Sequence, residues 1–365
     1  MSNINLDDLI SQISEHYQQL LSIKPRRTKI QILSAIEWQN FCRKFNLDNS
    51  SEGISLSRNL TSYLLANSEF LPLNLFHEYF GHGLFFEYSK QGRFIQKLEK
   101  KLIKEEKMNF KNRQFTLEEL LKFREKNSSF KLLQKEKNNP LYEVFAIWTE
   151  HYLCELFKMK DKFEQKYKKI SGKIKENLEK FIDFQKRQGE LALFYEIGMP
   201  KYYDSLKIKT LLETIFKEKI KSARLVILYG SKKPYADIDL FVVSNEIKDF
   251  KNNWLDIYSL TPAEFEYSVS VFRISVTDPL LTGELVLGDK NYFEQKKKQL
   301  QEQPITQEAI YYNLIKSKEQ KILAEQFPRN SKEYVIGMSY AETYLKNALA
   351  LKQGKRKLTR NSLIT

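Results

Sequence analysis

The chain has 365 residues, 42% of them hydrophobic, with 25 Phe and 20 Tyr, enough to build sizeable cores in two or three domains and unlike a disordered composition. Its net charge of +14 leaves room for a polyanionic partner such as nucleic acid. The lysines are nonetheless interleaved with glutamates as on a solvated face, and no zinc-finger, homeodomain or RNP-type signature is present. No run of 18 apolar residues exists to cross a membrane, the acidic amphipathic start is unlike a signal peptide, and two cysteines, Cys42 and Cys154, make no disulfide framework, so a cytoplasmic protein is expected.

Residues 5–22 have the spacing of an amphipathic helix, and 28–35 and 54–65 carry the β-branched, alternating pattern of strands. Leu73 to about Tyr88 is nearly all apolar and reads as a buried helix. A charged helical stretch over 92–137 ends at Asn138-Asn139-Pro140, and Pro140 opens a second apolar helix, LYEVFAIWTEHYLCELF. A long helix of mixed charge is expected from about 160 to 188. After a break at Met199-Pro200, a helix over 206–221 leads to an apolar strand, 224–229. A second strand follows at 238–244, then helix-like residues 245–253, a third strand at 255–260, and helices again from about 305 to 358.

The buried helix carries His77-Glu78-Tyr79-Phe80-Gly81-His82. Zinc hydrolysis needs two neutral imidazoles to hold the metal and a carboxylate to handle the proton of a water. In the usual H-E-x-x-H the histidines are four apart and share one helical face. Here they are five apart, and a regular helix would set them roughly 140° apart around its axis. Both reach one metal only if the helix absorbs a residue, for example as a π-bulge. Gly81, without a Cβ, lies where such a distortion is tolerated. A third ligand is best sought at Glu143, in a helix that is apolar yet carries carboxylates. Glu150, seven residues on, shares its face and is suited to accept the other ring N–H of a histidine. His151 stays open as an alternative ligand.

HEYFGH resembles the H-E-x-x-x-H signature of dipeptidyl peptidase III, a zincin with one extra residue in its metal helix. The downstream Glu-x-x-Ala is similar to the glutamate helix of gluzincin metallopeptidases. The resemblance covers about residues 50–160. It implies Zn²⁺ held by His77, His82 and Glu143, with Glu78 as general base and a peptide as substrate.

Residues 225–243 hold a second constellation, LVILYGSKKPYADIDLFVV. An apolar strand ends in Gly230-Ser231, and five residues later Asp237-Ile238-Asp239 opens another. On a strand, side chains alternate, so the two aspartates would share a face, where their repulsion calls for bound cations; hard Mg²⁺ with substrate phosphates suits them. Gly230 lets backbone approach a phosphate, and the Ser231 hydroxyl can donate to it. Lys232 and Lys233 are further phosphate candidates. This pattern resembles the nucleotidyltransferase superfamily of DNA polymerase β and the minimal nucleotidyltransferases, over about residues 205–295. Asp256, on the next strand, is the best-placed third carboxylate, and the five-residue gap after Gly-Ser is shorter than usual in that family. The resemblance implies two-metal transfer of a nucleoside monophosphate from an NTP to a hydroxyl of a protein, RNA or small molecule.

The expected fold is therefore a helix-rich α+β protein: a zincin-like metallopeptidase domain over 1–198, a nucleotidyltransferase-fold domain over 199–300, and a helical segment, 301–365, packing on the latter. A second reading, a non-catalytic nucleotide- or RNA-binding protein with a structural zinc, fits the same residues.

Overall fold

A computed structural model describes residues 5–23, 27–45, 47, 51–111, 116–168, 172–356 and 359–364. The chain is a helix-rich α+β protein of two compact units, Met1–Tyr202 and Tyr203–Thr365, the trailing helices belonging to the second. No helix is long and apolar enough to cross a membrane.

The first unit holds a three-stranded sheet in the order β1–β3–β2. β1 (Lys29–Leu33) runs parallel to β3 (Thr61–Leu65), and β2 (Gly53–Leu56) runs antiparallel to it. The stretch 54–65 is thus two strands joined by a turn. Below the sheet lies the histidine helix, Leu71–Asn74, Leu75–His82 and Gly83–Tyr88 in unbroken succession. Its far end is anchored by Glu87, a buried carboxylate that accepts from the backbone N–H groups of Arg27 and Thr28 and from the Thr28 hydroxyl. The glutamate helix, Leu141–Leu156, packs along it, and the aromatic residues of the two fill the core: Phe76, Phe80, Phe85, Phe145 and Trp148 are fully buried. Burying side chains of that size stabilises by about 1.5–3 kcal/mol each.

The charged stretch 92–137 is three helices, Lys90–Asn109, Leu117–Lys126 and Ser128–Lys137, residues 112–115 lying outside the described ones. Asn127 breaks the last two apart by capping: its side chain accepts from the N–H of Phe130. Likewise the expected helix 160–188 is two, Lys160–Lys166 and Gly172–Gln188, with 169–171 outside the described residues.

The second unit is built on a five-stranded mixed sheet, ordered β6–β7–β5–β4–β8. Its members are β4 (Leu225–Tyr229), β5 (Ile238–Val243), β6 (Phe250–Lys251), β7 (Leu255–Leu260) and β8 (Glu284–Gly288). Only β5 and β7 are parallel. Residues 245–253 are not helical, contrary to expectation. Side chains there take the backbone for themselves: Ser244 Oγ accepts from Glu246 and Ile247, Asn252 Oδ1 from Trp254 and Leu255, and Asp249 Oδ1 from the Ser259 N–H. A short edge strand results. Helices Pro262–Ser270, Ile274–Thr282 and Lys290–Glu302 cover the sheet, and the hairpin of Gln307–Ala324 and Lys332–Lys352 packs on Ile274–Thr282.

Candidate functional sites

In the first unit, Leu75–His82 is π-helical, and the Gly83 N–H reaches back five residues to the Glu78 carbonyl. The wider turn brings residues five apart onto one side. The rings of His77 and His82 accordingly face one another edge to face, with centroids 4.7 Å apart. Ser55 Oγ from β2 and Ser62 Oγ from β3 both donate to the Glu78 carbonyl, at 2.6 and 3.1 Å, and tie the π turn to the sheet. Gly81 serves packing rather than an unusual backbone angle, because its φ is not positive. A Cβ there would lie 2.6 Å from Ala146 Cα, so the histidine and glutamate helices touch backbone to backbone at Gly-Ala.

That contact delivers Glu143. Its Oε1 lies 3.5 Å from His77 Nε2 and its Oε2 3.3 Å from His82 Nε2. His151 is turned away, with Nε2 3.8 Å from Glu155 and its ring edge to face with Phe163. Glu150 is fully buried, and its Oε2 lies 3.2 Å from His77 Nδ1. The same carboxylate accepts from the Tyr167 hydroxyl at 2.7 Å and from Lys166 Nζ at 2.9 Å, and that lysine also donates to Asn74. Lys166 and Tyr167 carry no sequence signal, since the chain returns to Glu150 only after the turn that ends its helix.

Three carboxylates, those of Glu78, Glu143 and Glu150, surround His77. Burial opposes a charge on His77, but the Glu143 and Glu150 carboxylates outweigh it and push the imidazole up to about 10. Burial likewise opposes ionisation of Glu143, yet the two imidazoles hold it well below the usual carboxylate range. His77, Glu78 and His82 bring ligand atoms within 4.8 Å of one another. Glu78 Oε2 and His82 Nδ1 are buried without a hydrogen-bond partner among the described residues. Two imidazoles, a carboxylate facing both and an unpaired carboxylate oxygen beside them form a donor set of the kind zinc takes. Two cavities, of about 220 and 570 Å³, share Ile54 and Ser55 of β2, Ser57 just after it and Lys137 from helix Ser128–Lys137, the smaller lined by Glu78 and His82.

In the second unit, β4 ends at Gly230, whose φ is +79°. Asp239 lies directly against it: a Cβ on Gly230 would fall 2.2 Å from Asp239 Oδ2. Parallel pairing of β5 with β7 sets Asp239 beside Asp256. Burial, then the charges of Asp256 and Asp237, push the Asp239 carboxyl up to about 6. Asp237 stands one residue ahead of β5; its charge acts on Asp239 and, together with those of Asp239 and Asp256, on Lys251. Lys251 pairs with Asp256, and Lys232 with Glu284 at 2.8 Å, which leaves Lys233 as the lysine of that turn lining the cavity. The cavity is about 960 Å³ and is also lined by Gly230, Ser231, Asp239 and Asp256. Arg273 and Arg360 line it too, which sequence reasoning missed: neither lies near the Asp-x-Asp in the chain.

No protein-family model and no curated protein matches the chain. Among solved structures it is similar to a nucleotidyltransferase-like protein from Exiguobacterium sibiricum 255-15, at 14% identity and a TM-score of 0.27, over 41% of this chain and 59% of that one.

Proposed function

We propose that the chain joins two catalytic units, a Mg²⁺-dependent nucleotidyltransferase and a zinc-dependent amide hydrolase. The transferase reading rests on one observation above all: Asp239 sits beside Asp256 in register and against a Gly230 that leaves no room for a side chain. Magnesium, when bound, would neutralise triphosphate oxygens in an in-line displacement. Asp237, Asp239 and Asp256 would hold it, while Gly230 and Ser231 admit and bind a phosphate. The acceptor hydroxyl attacks the α-phosphorus of an NTP, and pyrophosphate departs.

The hydrolase reading rests on Glu143 facing the Nε2 atoms of both His77 and His82. Zinc, when bound, would polarise a substrate carbonyl and acidify a water. His77, His82 and Glu143 are the ligands in this reading, and Glu150 fixes the His77 ring. Glu78 takes the proton of the attacking water and returns it to the leaving amine as the C–N bond breaks. β2, at the edge of its sheet and bordered by both cavities, suits an extended peptide.

The two halves are tested separately on the full chain. Zinc should be present at one per chain; Glu78→Gln should keep it and lose hydrolysis of a peptide library. Asp239→Asn and Asp237→Asn should abolish Mg²⁺-dependent release of pyrophosphate from NTP in the presence of protein, RNA and small-molecule acceptor pools. A chain that takes up no zinc defeats the hydrolase reading. Pyrophosphate release that survives Asp239→Asn defeats the transferase reading.

A further inference from the structure

Arg273 lines the transferase cavity, within hydrogen-bonding reach of the Tyr344 hydroxyl. Its guanidinium lies 5.5 Å from the centre of the Tyr258 ring, its Nε is buried without a partner, and no carboxylate forms an ion pair with it among the described residues. Arg360, on the same cavity, is by contrast paired with Asp278 at 3.8 Å. Ser275 also lines the cavity; its Oγ, beside the Tyr258 hydroxyl, is buried and has no well-formed hydrogen bond. Both residues stand at the start of helix Ile274–Thr282, which has no side-chain cap. A helix N-terminus, a guanidinium whose Nε has no partner and a serine hydroxyl, all on one cavity, together make an anion site.

The fold fixes the direction of Arg273. Phe272, just before it, is buried with φ +51°, a left-handed angle that a non-glycine residue keeps only when its surroundings impose it. Two fully buried asparagines from the trailing hairpin impose it here. Asn313 donates to the Val271 carbonyl and Asn347 to the Phe272 carbonyl, each at 2.9 Å, and Asn347 donates to Asn313 Oδ1 at 3.0 Å.

We infer that Arg273, Ser275 and the first turn of Ile274–Thr282 seat the terminal phosphates of the nucleoside triphosphate whose α-phosphate meets Asp239 and Asp256, with Asn313 and Asn347 as positioning residues. This rests on the transferase reading. The acceptor oxygen bonds to the α-phosphorus and the α–β P–O bond breaks. The electron pair leaves on pyrophosphate, held by Arg273, and the hydroxyl proton passes to solvent. A cavity of about 960 Å³ is of the size that holds such a ligand.

Pyrophosphate probes the site whatever the base or acceptor. Calorimetric titration of the full chain with Mg-pyrophosphate should show binding. It should weaken at least tenfold in Arg273→Gln and several-fold in Arg273→Lys, which keeps the charge but loses the fork. Asn347→Ala should weaken it too, with little further loss when combined with Arg273→Gln, because both act through one guanidinium. Equal affinity in wild type and Arg273→Gln overturns the assignment while leaving the transferase reading standing. A wild-type chain that binds neither Mg-pyrophosphate nor any Mg-NTP overturns both.

Discussion

Gly81 and Ala146 meet without a side chain between them, a Cβ on Gly81 falling 2.6 Å from Ala146 Cα and 2.8 Å from Ala146 Cβ. The contact sets the spacing of the histidine and glutamate helices, and hence the reach of Glu143 to two imidazoles. Gly81→Ala meets the Ala146 backbone and its rigid methyl, neither of which can swing aside, so it should destabilise the first unit by about 1–3 kcal/mol, and Gly81→Leu by more. Zinc uptake should fall with it. Denaturant unfolding paired with metal analysis checks this; a Gly81→Ala protein as stable and as zinc-loaded as wild type would show that the helices do not depend on the contact.

Glu150 joins His77, Tyr167 and Lys166 in a pocket with no exposure of its own. Glu150→Gln removes the charge that Lys166 answers and weakens the acceptor that orients His77. Breaking such a pair costs about 3–5 kcal/mol, and loss of a ligand-orienting group weakens metal binding by roughly 10–100-fold. Competition with a chromophoric chelator measures the second effect. Unchanged zinc affinity would mean that Glu150 serves only the fold.

Gly230→Ala combines two faults. An L-residue at φ +79° costs about 1–2 kcal/mol, and the new methyl displaces the Asp239 carboxylate. Pyrophosphate release should drop at least a hundredfold, with zinc content of the first unit unchanged. Full transferase activity in Gly230→Ala would exclude close approach of Asp239 to that backbone.

The Asp239 carboxyl is raised to about 6 by burial and by Asp256 and Asp237. In the metal-free protein the folded state therefore keeps a proton that the unfolded chain has released. This contribution to stability is complete below about pH 4, the range of an ordinary aspartate, and is lost as pH rises through about 6. Asp239→Asn removes it. With chelator present, the variant should gain stability on wild type between those pH values. Parallel stability profiles for the two proteins would contradict the placement of the three charges.

The buried thiol of Cys154 is pushed up to about 12, first by burial and then by the charge of Glu150. It should resist iodoacetamide at pH 8 in the folded chain and react once the chain is unfolded. Mass mapping of the labelled peptide reads this directly; rapid labelling in the native state would show the glutamate helix to be open.

Much of both sites is local and therefore legible in the residues. The five-residue spacing of His77 and His82 forces a wider helical turn if the two are to face one way, and the π-helix over Leu75–His82 has that form. Apolar runs bounded by Gly230-Ser231 and Asp237-Ile238-Asp239 mark β4 and β5 because strand length and burial are written into composition. Residues 245–253 misled, since helix-like spacing there yields to Ser244, Asp249 and Asn252 bonding the backbone themselves.

What the sequence by itself determined was the phase of side chains within each element: which residues share a helix face, and where a strand carries its carboxylates. Only the tertiary structure decided which elements meet. It set Glu143 and not His151 against the two histidines, gave Glu150 its lysine and tyrosine, set Asp239 against Gly230, and brought Arg273 to the cavity beside a turn held by two asparagines far along the chain. Those choices depend on close packing between surfaces distant in sequence, where the absence of a single Cβ, as at Gly81, sets the distance between two helices.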